Sequence, residues 1–158
     1  TAPDKGDFRS DSRGRGWALG GSEPHGCHRC GSMEGMAGHL ESISAITLVT
    51  DDMAASVAFY AVLEPTIEFG GAESTFTTLK VTDGQFLNLQ LDPQWQRPTT
   101  VWGRFILWVD DVDAVHAAFI ESGYMSSMQP SDAAWGERYF HIIDPAGHEV
   151  SIARRLDH

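Results

Sequence analysis

Long apolar stretches are missing from this chain of 158 residues, so a transmembrane helix, which needs roughly 18 or more consecutive apolar residues, is not expected. Cysteine is nearly absent. Cys27 and Cys30 are the only two, which excludes a disulfide framework for the rest of the chain and fits a reducing cytoplasm. The sequence does not open with the basic and then apolar order of a secretory signal. We therefore expect a cytoplasmic protein that does not act on membranes.

Basic side chains are also few, and the formal net charge is −11. Residues 1–38 hold five basic and five acidic side chains, so the excess lies in residues 39–158, which hold six basic and 17 acidic ones. Such a domain repels nucleic acid and anionic membranes and attracts cations. A surface that is acidic for solubility alone is the alternative interpretation.

Residues 1–38 contain nine of the 16 glycines and almost no apolar periodicity, which predicts a disordered leader. Within it, Gly31-Ser32-Met33 resembles a cloning junction, and either Met33 or Met36 could be the native start. The leader also carries Cys27-His28-Arg29-Cys30, which offers two of the four ligands that a structural zinc site needs. The histidines that could complete such a site are His25, His28 and His39. No second ligand pair follows at finger-like spacing, which favours an incidental cysteine pair.

A repeat organises the remaining chain. The segment 106–119 matches the segment 47–60, fifty-nine residues earlier, and this register places Asp110-Asp111 on Asp51-Asp52. Each copy is an apolar run of strand length, a pair of aspartates, and an alanine-rich segment with helical spacing. The second aspartate of each pair is the predicted helix N-cap, because its carboxylate accepts a hydrogen bond from the first turn. Two such copies predict a duplicated module.

In the first copy we predict strands over 43–49, 75–81 and 86–91, with a helix over 52–63 that ends before Pro65. Asp83-Gly84 is a strong hairpin signal between the last two strands. The predicted apolar stripe of the helix consists of Met53, Val57, Tyr60 and Ala61.

In the second copy we predict strands over 101–109, 138–143 and 149–153, a short strand over 124–129 followed by a polar loop, and a helix over 111–122 that ends at Gly123. The apolar stripe of that helix consists of Val112, Val115, His116, Phe119 and Ile120. Each half reads βαβββ. The prediction is therefore an α+β domain over 39–156, whose modules 43–91 and 101–154 form a cupped mixed sheet with the helices outside.

The segment from Trp135 to Glu149, with its Trp-Gly-Glu-Arg element and the turn Asp144-Pro145-Ala146-Gly147, resembles the C-terminal signature of the glyoxalase, bleomycin-resistance and dioxygenase family. This is the vicinal-oxygen-chelate superfamily. Asp51-Asp52 followed by Phe59-Tyr60 is similar to its first-module pattern, and the resemblance spans about residues 43–154. It implies paired βαβββ modules that bind small molecules in the cupped sheet, and the enzymes of the family hold a divalent metal there.

The metal positions implied by the resemblance fall on Ala45, Gln90, Arg104 and Ser151. A methyl group, an amide, a guanidinium and a hydroxyl cannot form a useful coordination shell, since divalent metals need carboxylate, imidazole or thiolate ligands. Glu149 shares a strand face with Ser151 but not its depth. We therefore predict no metal, no other cofactor and no catalytic residue, as in the metal-free, drug-sequestering branch that this chain resembles most.

A ligand is then expected to contact aromatic and polar side chains, because flat aromatic walls with a few polar groups suit a planar or amphipathic molecule. The predicted ligand-binding residues are Phe86, Asn88, Gln90, Trp102, Arg104, Trp108, Trp135 and His141. Core packing is the alternative for Trp108 and Trp135, and a rim or subunit contact for Trp102, as for Trp95. His116 is expected to be a core histidine, whereas His148 could touch the ligand.

Two functions remain open at this point. The first is a non-catalytic binding protein that confers antibiotic resistance by sequestering a cationic or aromatic ligand. The resemblance implies for it a homodimer whose grooves are each completed by the second chain. The second is a lyase, isomerase or dioxygenase of the same superfamily with an atypical or absent metal site.

Overall fold

A computed structural model of the protein describes residues 40–156. The predicted leader, its cysteine pair and His39 lie outside the described residues. The elements, in chain order, are β1 (Ala45–Thr50), α1 (Met53–Ala61), β2 (Thr66–Phe69), β3 (Phe76–Thr82), β4 (Gln85–Leu91), β5 (Arg104–Trp108), α2 (Val112–Glu121), β6 (Ser131–Ala133), β7 (Glu137–Ile143) and β8 (Glu149–Arg155). The predicted α+β fold with two βαβββ modules is confirmed. Within 40–156, neither helix has the length and apolar character that crossing a membrane requires.

Each module forms its own four-stranded sheet. The strand order is β1-β4-β3-β2 in the first sheet and β5-β8-β7-β6 in the second. The first strand of each module runs parallel to the last, as β1 does to β4 and β5 does to β8, and the other neighbours are antiparallel. The two modules therefore repeat not only their element order but also their strand pairing.

The two aspartate caps are formed as predicted. In α1, Asp52 Oδ1 accepts a hydrogen bond from Ala55 N at 2.9 Å. In α2, Asp111 Oδ1 accepts from the backbone N of Asp113 and of Ala114, both at 3.0 Å. Each carboxylate satisfies backbone N–H groups that a helix leaves unpaired at its start, and this fixes the strand-to-helix turn in both modules.

The two helices meet in a single core. The ring centroids of Phe59 in α1 and Phe119 in α2 are 4.9 Å apart, and both side chains are fully buried. The predicted stripe of α1 is wrong in two positions, because Phe59 is buried and Ala61 is exposed. In α2, Ile120 is 46% exposed rather than buried. Phe59 is buried because α1 packs against α2 as well as against its own sheet, so that two adjacent faces of α1 are covered.

Edge strands are where the sequence predictions fail. Residues 124–129 form no strand; Ser126 makes only an isolated bridge with Ile142, and β6 lies in the predicted polar loop. Strand β5 begins at Arg104 instead of residue 101. Strand β2 was not predicted and is exposed along its whole length. These edges bury few side chains, so they lack the alternating apolar pattern that reveals an inner strand.

A buried hydrogen bond ties the first helix to the second module. Tyr60 Oη donates to Asp144 Oδ2 at 2.8 Å, and both residues are almost fully buried. Asp144 Oδ1 accepts from the backbone N of Ala146 at 3.0 Å and of His148 at 2.8 Å. Burial raises the pKa of Asp144, and burial together with this carboxyl raises the pKa of Tyr60 well above its ordinary value, so the phenol remains a donor. The Asp-Pro-Ala-Gly turn is thus held by one carboxyl group.

His148 makes a second link between the modules. Its Nδ1 accepts a hydrogen bond from Trp102 Nε1 at 3.0 Å, so the ring proton of the neutral form lies on Nε2, which is 2.8 Å from Val49 O in β1. Trp95 stacks on the same imidazole, with ring centroids 5.4 Å apart, and its Nε1 donates to Ala146 O at 2.9 Å. The linker tryptophans therefore seal the junction between the modules.

Candidate functional site

Each sheet has one face covered by a helix and one face that is open. In β4, for example, Leu87 and Leu89 are buried beneath the helix side, while the alternate residues Phe86, Asn88 and Gln90 point to the other side. The first open face also carries Ala45 and Thr47. The second open face includes Arg104, Ile106, Trp108, Tyr139, His141, Glu149, Ser151 and Arg155, by the same alternation along β5, β7 and β8. The candidate site is built on these two faces.

On the first open face, the strand register separates two of the four implied metal positions. Ala45 pairs with Phe86, whereas Gln90 pairs with Val49, four residues farther along both strands. At about 3.3 Å per residue, that distance is roughly 13 Å. Asn88 lies diagonally nearer to Ala45, and its Nδ2 donates to Thr47 Oγ1 at 3.3 Å. Gln90 and Ala45 therefore could not share one ion, whichever side chains stood there.

On the second open face, the other two positions hold a paired cation and a buried hydroxyl. Arg104 Nε donates to Glu149 Oε1, and the side chain of Glu149 is only 11% exposed. Ser151 pairs with Ile106 and with His141 in the neighbouring strands, and it is almost fully buried. Within residues 40–156, no three His, Cys, Asp or Glu side chains are grouped so that they could hold a metal ion. This donor set does not fit a divalent metal.

Three rings form an aromatic row along the start of β7. Trp135 stacks on Tyr139 with ring centroids 5.8 Å apart, and Tyr139 lies 5.0 Å from His141. Trp135 is 68% exposed, and its Nε1 donates to Glu137 Oε2 at 3.0 Å. Sequence reasoning missed Tyr139. The alternation of Tyr139 and His141 with the buried Phe140 could have revealed it.

His141 is the titratable group at the centre of the second open face. Partial burial is the main cause that lowers its pKa, and the nearby Arg104 guanidinium adds to the effect. Its Nδ1 is buried and has no hydrogen-bond partner among the described residues. The lowered pKa favours the neutral form of the ring at neutral pH.

Trp108 stands at the outer edge of the second sheet and is not a core residue, since 51% of it is exposed. The guanidinium carbon of Arg155 lies 5.4 Å from the centre of its ring, a cation–π contact. Trp108 and Phe86 line one groove of about 430 Å³, together with Ala45 and Ile106. We call this the hairpin groove. Arg155 was missed because the sequence placed the end of the last strand two residues too early.

The structure thus groups some of the predicted ligand residues and separates others. Phe86 and Trp108 share the hairpin groove, and Arg104 and His141 share the second open face. Asn88 and Gln90 lie on the first open face. Trp135 begins the aromatic row, whereas Trp102 is 58% exposed and donates to His148 at the junction of the modules. His116 is buried against Phe140, and its Nε2 has no partner in the described part of the chain.

Paired βαβββ modules, each with a helix on one face of its sheet and the other face open, are the architecture of one protein superfamily. The chain belongs to the Glyoxalase/Bleomycin resistance protein/Dioxygenase superfamily, whose family model matches residues 42–152. The resemblance found in the sequence is confirmed at the level of the superfamily.

Two mycobacterial proteins are distant relatives of this chain. This chain is 28% identical over 132 residues to an uncharacterized protein of Mycobacterium bovis, with 75% of this chain and 87% of that protein covered. This chain is also 28% identical over 132 residues to an uncharacterized protein of Mycobacterium tuberculosis, with 75% of this chain and 78% of that protein covered.

Solved structures share the fold. A glyoxalase/bleomycin resistance protein/dioxygenase from Nocardioides has a TM-score of 0.61 at 20% identity, with 77% of this chain and 88% of that chain covered. Lactoylglutathione lyase from Agrobacterium tumefaciens has a TM-score of 0.59 at 22% identity, with 73% and 95% covered. At these identities the likeness concerns the fold alone, and the chemistry depends on the side chains described above.

Proposed function

We propose that this protein binds a planar aromatic small molecule in the cytoplasm without a divalent metal, and confers resistance by sequestering that antibiotic-like molecule rather than converting it. The observation that carries the proposal is the composition of the open faces. Uncovered aromatic side chains line them, while the positions that hold metal ligands in enzymes of this superfamily carry Arg104 and Ser151 on the second face and Ala45 on the first.

The uncovered aromatic side chains provide the binding energy in this proposal. Trp108 and Trp135 are both more than half exposed in the single chain. A stacked ring contact contributes about 0.5–1.5 kcal/mol beyond the burial of its area. Two such contacts, on a face that also carries polar side chains, suit a flat molecule with a few polar atoms.

We propose further that two chains pair, so that each ligand groove is completed by the second copy. Large apolar side chains on the second open face remain uncovered in one chain, as the 52% exposure of Ile106 and the 51% exposure of Trp108 illustrate. An exposed apolar patch beside unpaired strand edges favours association. The homodimer therefore belongs to the same proposal as the ligand.

The charge of the ligand is decided by two opposing effects. The acidic excess of the domain attracts cations over roughly a Debye length. Close to Trp108, however, Arg155 adds a positive charge that forms no ion pair within residues 40–156. We therefore propose an aromatic ligand. If the ligand is cationic, its charged group lies in solvent, away from Arg155. Matched cationic and neutral compounds test this point.

The test is calorimetric titration of the purified protein with cationic and neutral aromatic antibiotics that share a ring system, with and without added Zn²⁺. We expect binding that is independent of the metal, with no change in the ligand after prolonged incubation. Trp108→Ala should weaken binding by about 2- to 13-fold, the equivalent of the stacking energy. The matched control is Met125→Ala, because Met125 is 87% exposed in the loop after α2 and off both open faces.

Three results would contradict the proposal. One is turnover of the ligand that depends on an added metal, which would favour a lyase, isomerase or dioxygenase. Another is equal affinity of the wild-type and Trp108→Ala proteins for a ligand that binds. The third is a monomer at micromolar concentration in sedimentation with the ligand bound, which would remove the second copy from the groove.

A further inference from the structure

A second groove adjoins the hairpin groove, where the end of α1, the β3–β4 hairpin and β5 come together. Its volume is about 440 Å³, and its apolar lining includes Leu63, Leu79, Leu87, Leu107 and Trp108. Leu79 and Leu87 point to the helix side of the first sheet, where they are part of the core cluster. We call this the helix-end groove. It shares Val81, Thr82, Leu87, Leu107 and Trp108 with the hairpin groove, whereas Leu63, Glu64 and Leu79 are not part of the hairpin groove.

The charged side chains of the helix-end groove are unequal in their pairing. Lys80 Nζ lies 2.8 Å from Asp83 Oδ1 and 3.9 Å from Glu68 Oε1, so its charge is already offset. Glu64 lines the same groove and forms no ion pair with any residue between 40 and 156. The groove thus combines an apolar floor with one carboxylate whose charge is not offset by a neighbour.

Glutamate is an unusual residue at position 64 because the backbone there is left-handed. Glu64 has φ = 53°, in the left-handed region where a side chain is disfavoured. The matching position of the second module, fifty-nine residues later, is Gly123 with φ = 87°. Glycine takes this conformation at a helix end without strain. The first module therefore has a glutamate at the position where the second module has a glycine in the equivalent turn.

We infer that the helix-end groove is a binding site for an amphipathic amine, with Glu64 as the partner of the ammonium group. The leucines and Trp108 cover the hydrocarbon or aryl body of such a molecule, and the carboxylate selects its charged end. A carboxylic acid of the same shape is excluded, because it would place a second negative charge beside Glu64. None of the four implied metal positions lines this groove, and Glu64 lies outside the hairpin groove that it adjoins.

The probe for this inference is 4-phenylbutylamine, compared with 4-phenylbutanol and 4-phenylbutyrate, which have similar shape but are neutral or anionic. Binding to the full chain is followed by calorimetry and by tryptophan fluorescence, since Trp108 lines the groove. We expect the amine to bind about tenfold more tightly than the alcohol, the lower limit of what one hydrogen bond to a charged group contributes. The carboxylate should bind least.

Two substitutions separate the role of the carboxylate from its effect on folding. Glu64→Gln should lower the affinity for the amine about tenfold and leave that for the alcohol unchanged. Glu64→Gly should have the same effect on binding and raise the midpoint of thermal unfolding, because it relieves the left-handed backbone. A protein that is more stable but binds more weakly cannot owe its loss to unfolding. Glu73→Gln, at an exposed acid in the turn before β3, is the matched control.

Three results would overturn the inference. These are no saturable binding of the amine to the wild-type protein, equal affinities for the amine and the alcohol, or unchanged amine affinity in Glu64→Gln. Titration of Glu64→Gln with an aromatic antibiotic distinguishes this failure from failure of the proposed function, because the open faces do not include Glu64.

Discussion

Replacing Tyr60 by phenylalanine removes one atom and with it the hydrogen bond that links α1 to the second module. Its hydroxyl donates to Asp144 Oδ2 at 2.8 Å, inside a region where Tyr60 is 1% and Asp144 is 3% exposed. Phenylalanine fills nearly the same volume, so little cavity energy enters. What is lost is a buried hydrogen bond to a carboxyl group, which contributes about 1.5–3 kcal/mol when the acceptor is charged.

We therefore expect Tyr60→Phe to lower the free energy of unfolding by about 1.5–3 kcal/mol at neutral pH, measured by urea denaturation with an unchanged m-value. The matched control is Tyr124→Phe. Tyr124 packs against Phe59 at 5.0 Å, and its hydroxyl has no hydrogen bond among the described residues. The control should change the free energy of unfolding by less than about 0.5 kcal/mol.

A double-mutant cycle between Tyr60→Phe and Asp144→Ala measures the coupling directly, because alanine removes the acceptor. The reasoning is refuted if Tyr60→Phe unfolds at the same urea concentration as the wild-type protein. Strict additivity of the two substitutions would also refute it, since partners in one buried hydrogen bond must be coupled.

Two further predictions concern the same scaffold. Burial raises the pKa of Asp144 from its ordinary value of 3.8, so its contribution to stability is full below that value and is lost as the pH rises through the folded-state pKa. Asp144→Asn should therefore gain stability relative to the wild-type protein as the pH is raised from 3.8 to neutrality in urea titrations, and a difference that does not change with pH would contradict this. Asp111→Ala removes the acceptor of two backbone N–H groups and should cost about 1 kcal/mol in thermal or urea unfolding. The Asp51 side chain makes no hydrogen bond within residues 40–156, so Asp51→Ala should cost far less, and equal losses would refute the capping argument.

The superfamily model and the donor set lead to different expectations for metal chemistry. A shared fold positions side chains, but an ion binds only where those side chains are ligands. Arg104 places a guanidinium on the second open face, and Glu149, the carboxylate beside it, is engaged with that guanidinium. Membership of the superfamily therefore does not by itself imply a metal-dependent reaction in this chain.

Local patterns in the sequence predict most of the fold. Asp52 and Asp111 mark the helix starts because capping depends on a residue and its next three neighbours. Asp83-Gly84 marks the β3–β4 turn for a similar reason, and Gly84 takes φ = 76° there. The buried alternation of Leu87 and Leu89 indicates an inner strand. Strands β2 and β6 escaped prediction because an exposed edge imposes no such pattern on the chain.

The arrangement of the candidate site depends on strand register, which the sequence alone does not predict. Period two assigns Phe86, Arg104, Trp108 and His141 to open faces, because successive side chains in a strand point to opposite sides. It does not give the register between strands, which places Gln90 beside Val49 rather than Ala45.

Contacts between residues far apart in the chain were decided by tertiary structure alone. Tyr60 and Asp144 meet across 84 positions, and Trp102 reaches His148 across 46. The exposure of Trp108 and its contact with Arg155 likewise follow from how the strands are paired and where β8 ends. Capping, turns and alternation are local and can be predicted from neighbouring residues. Pairing, burial and charge contacts arise only when distant segments pack together, and the proposed ligand site consists of such contacts.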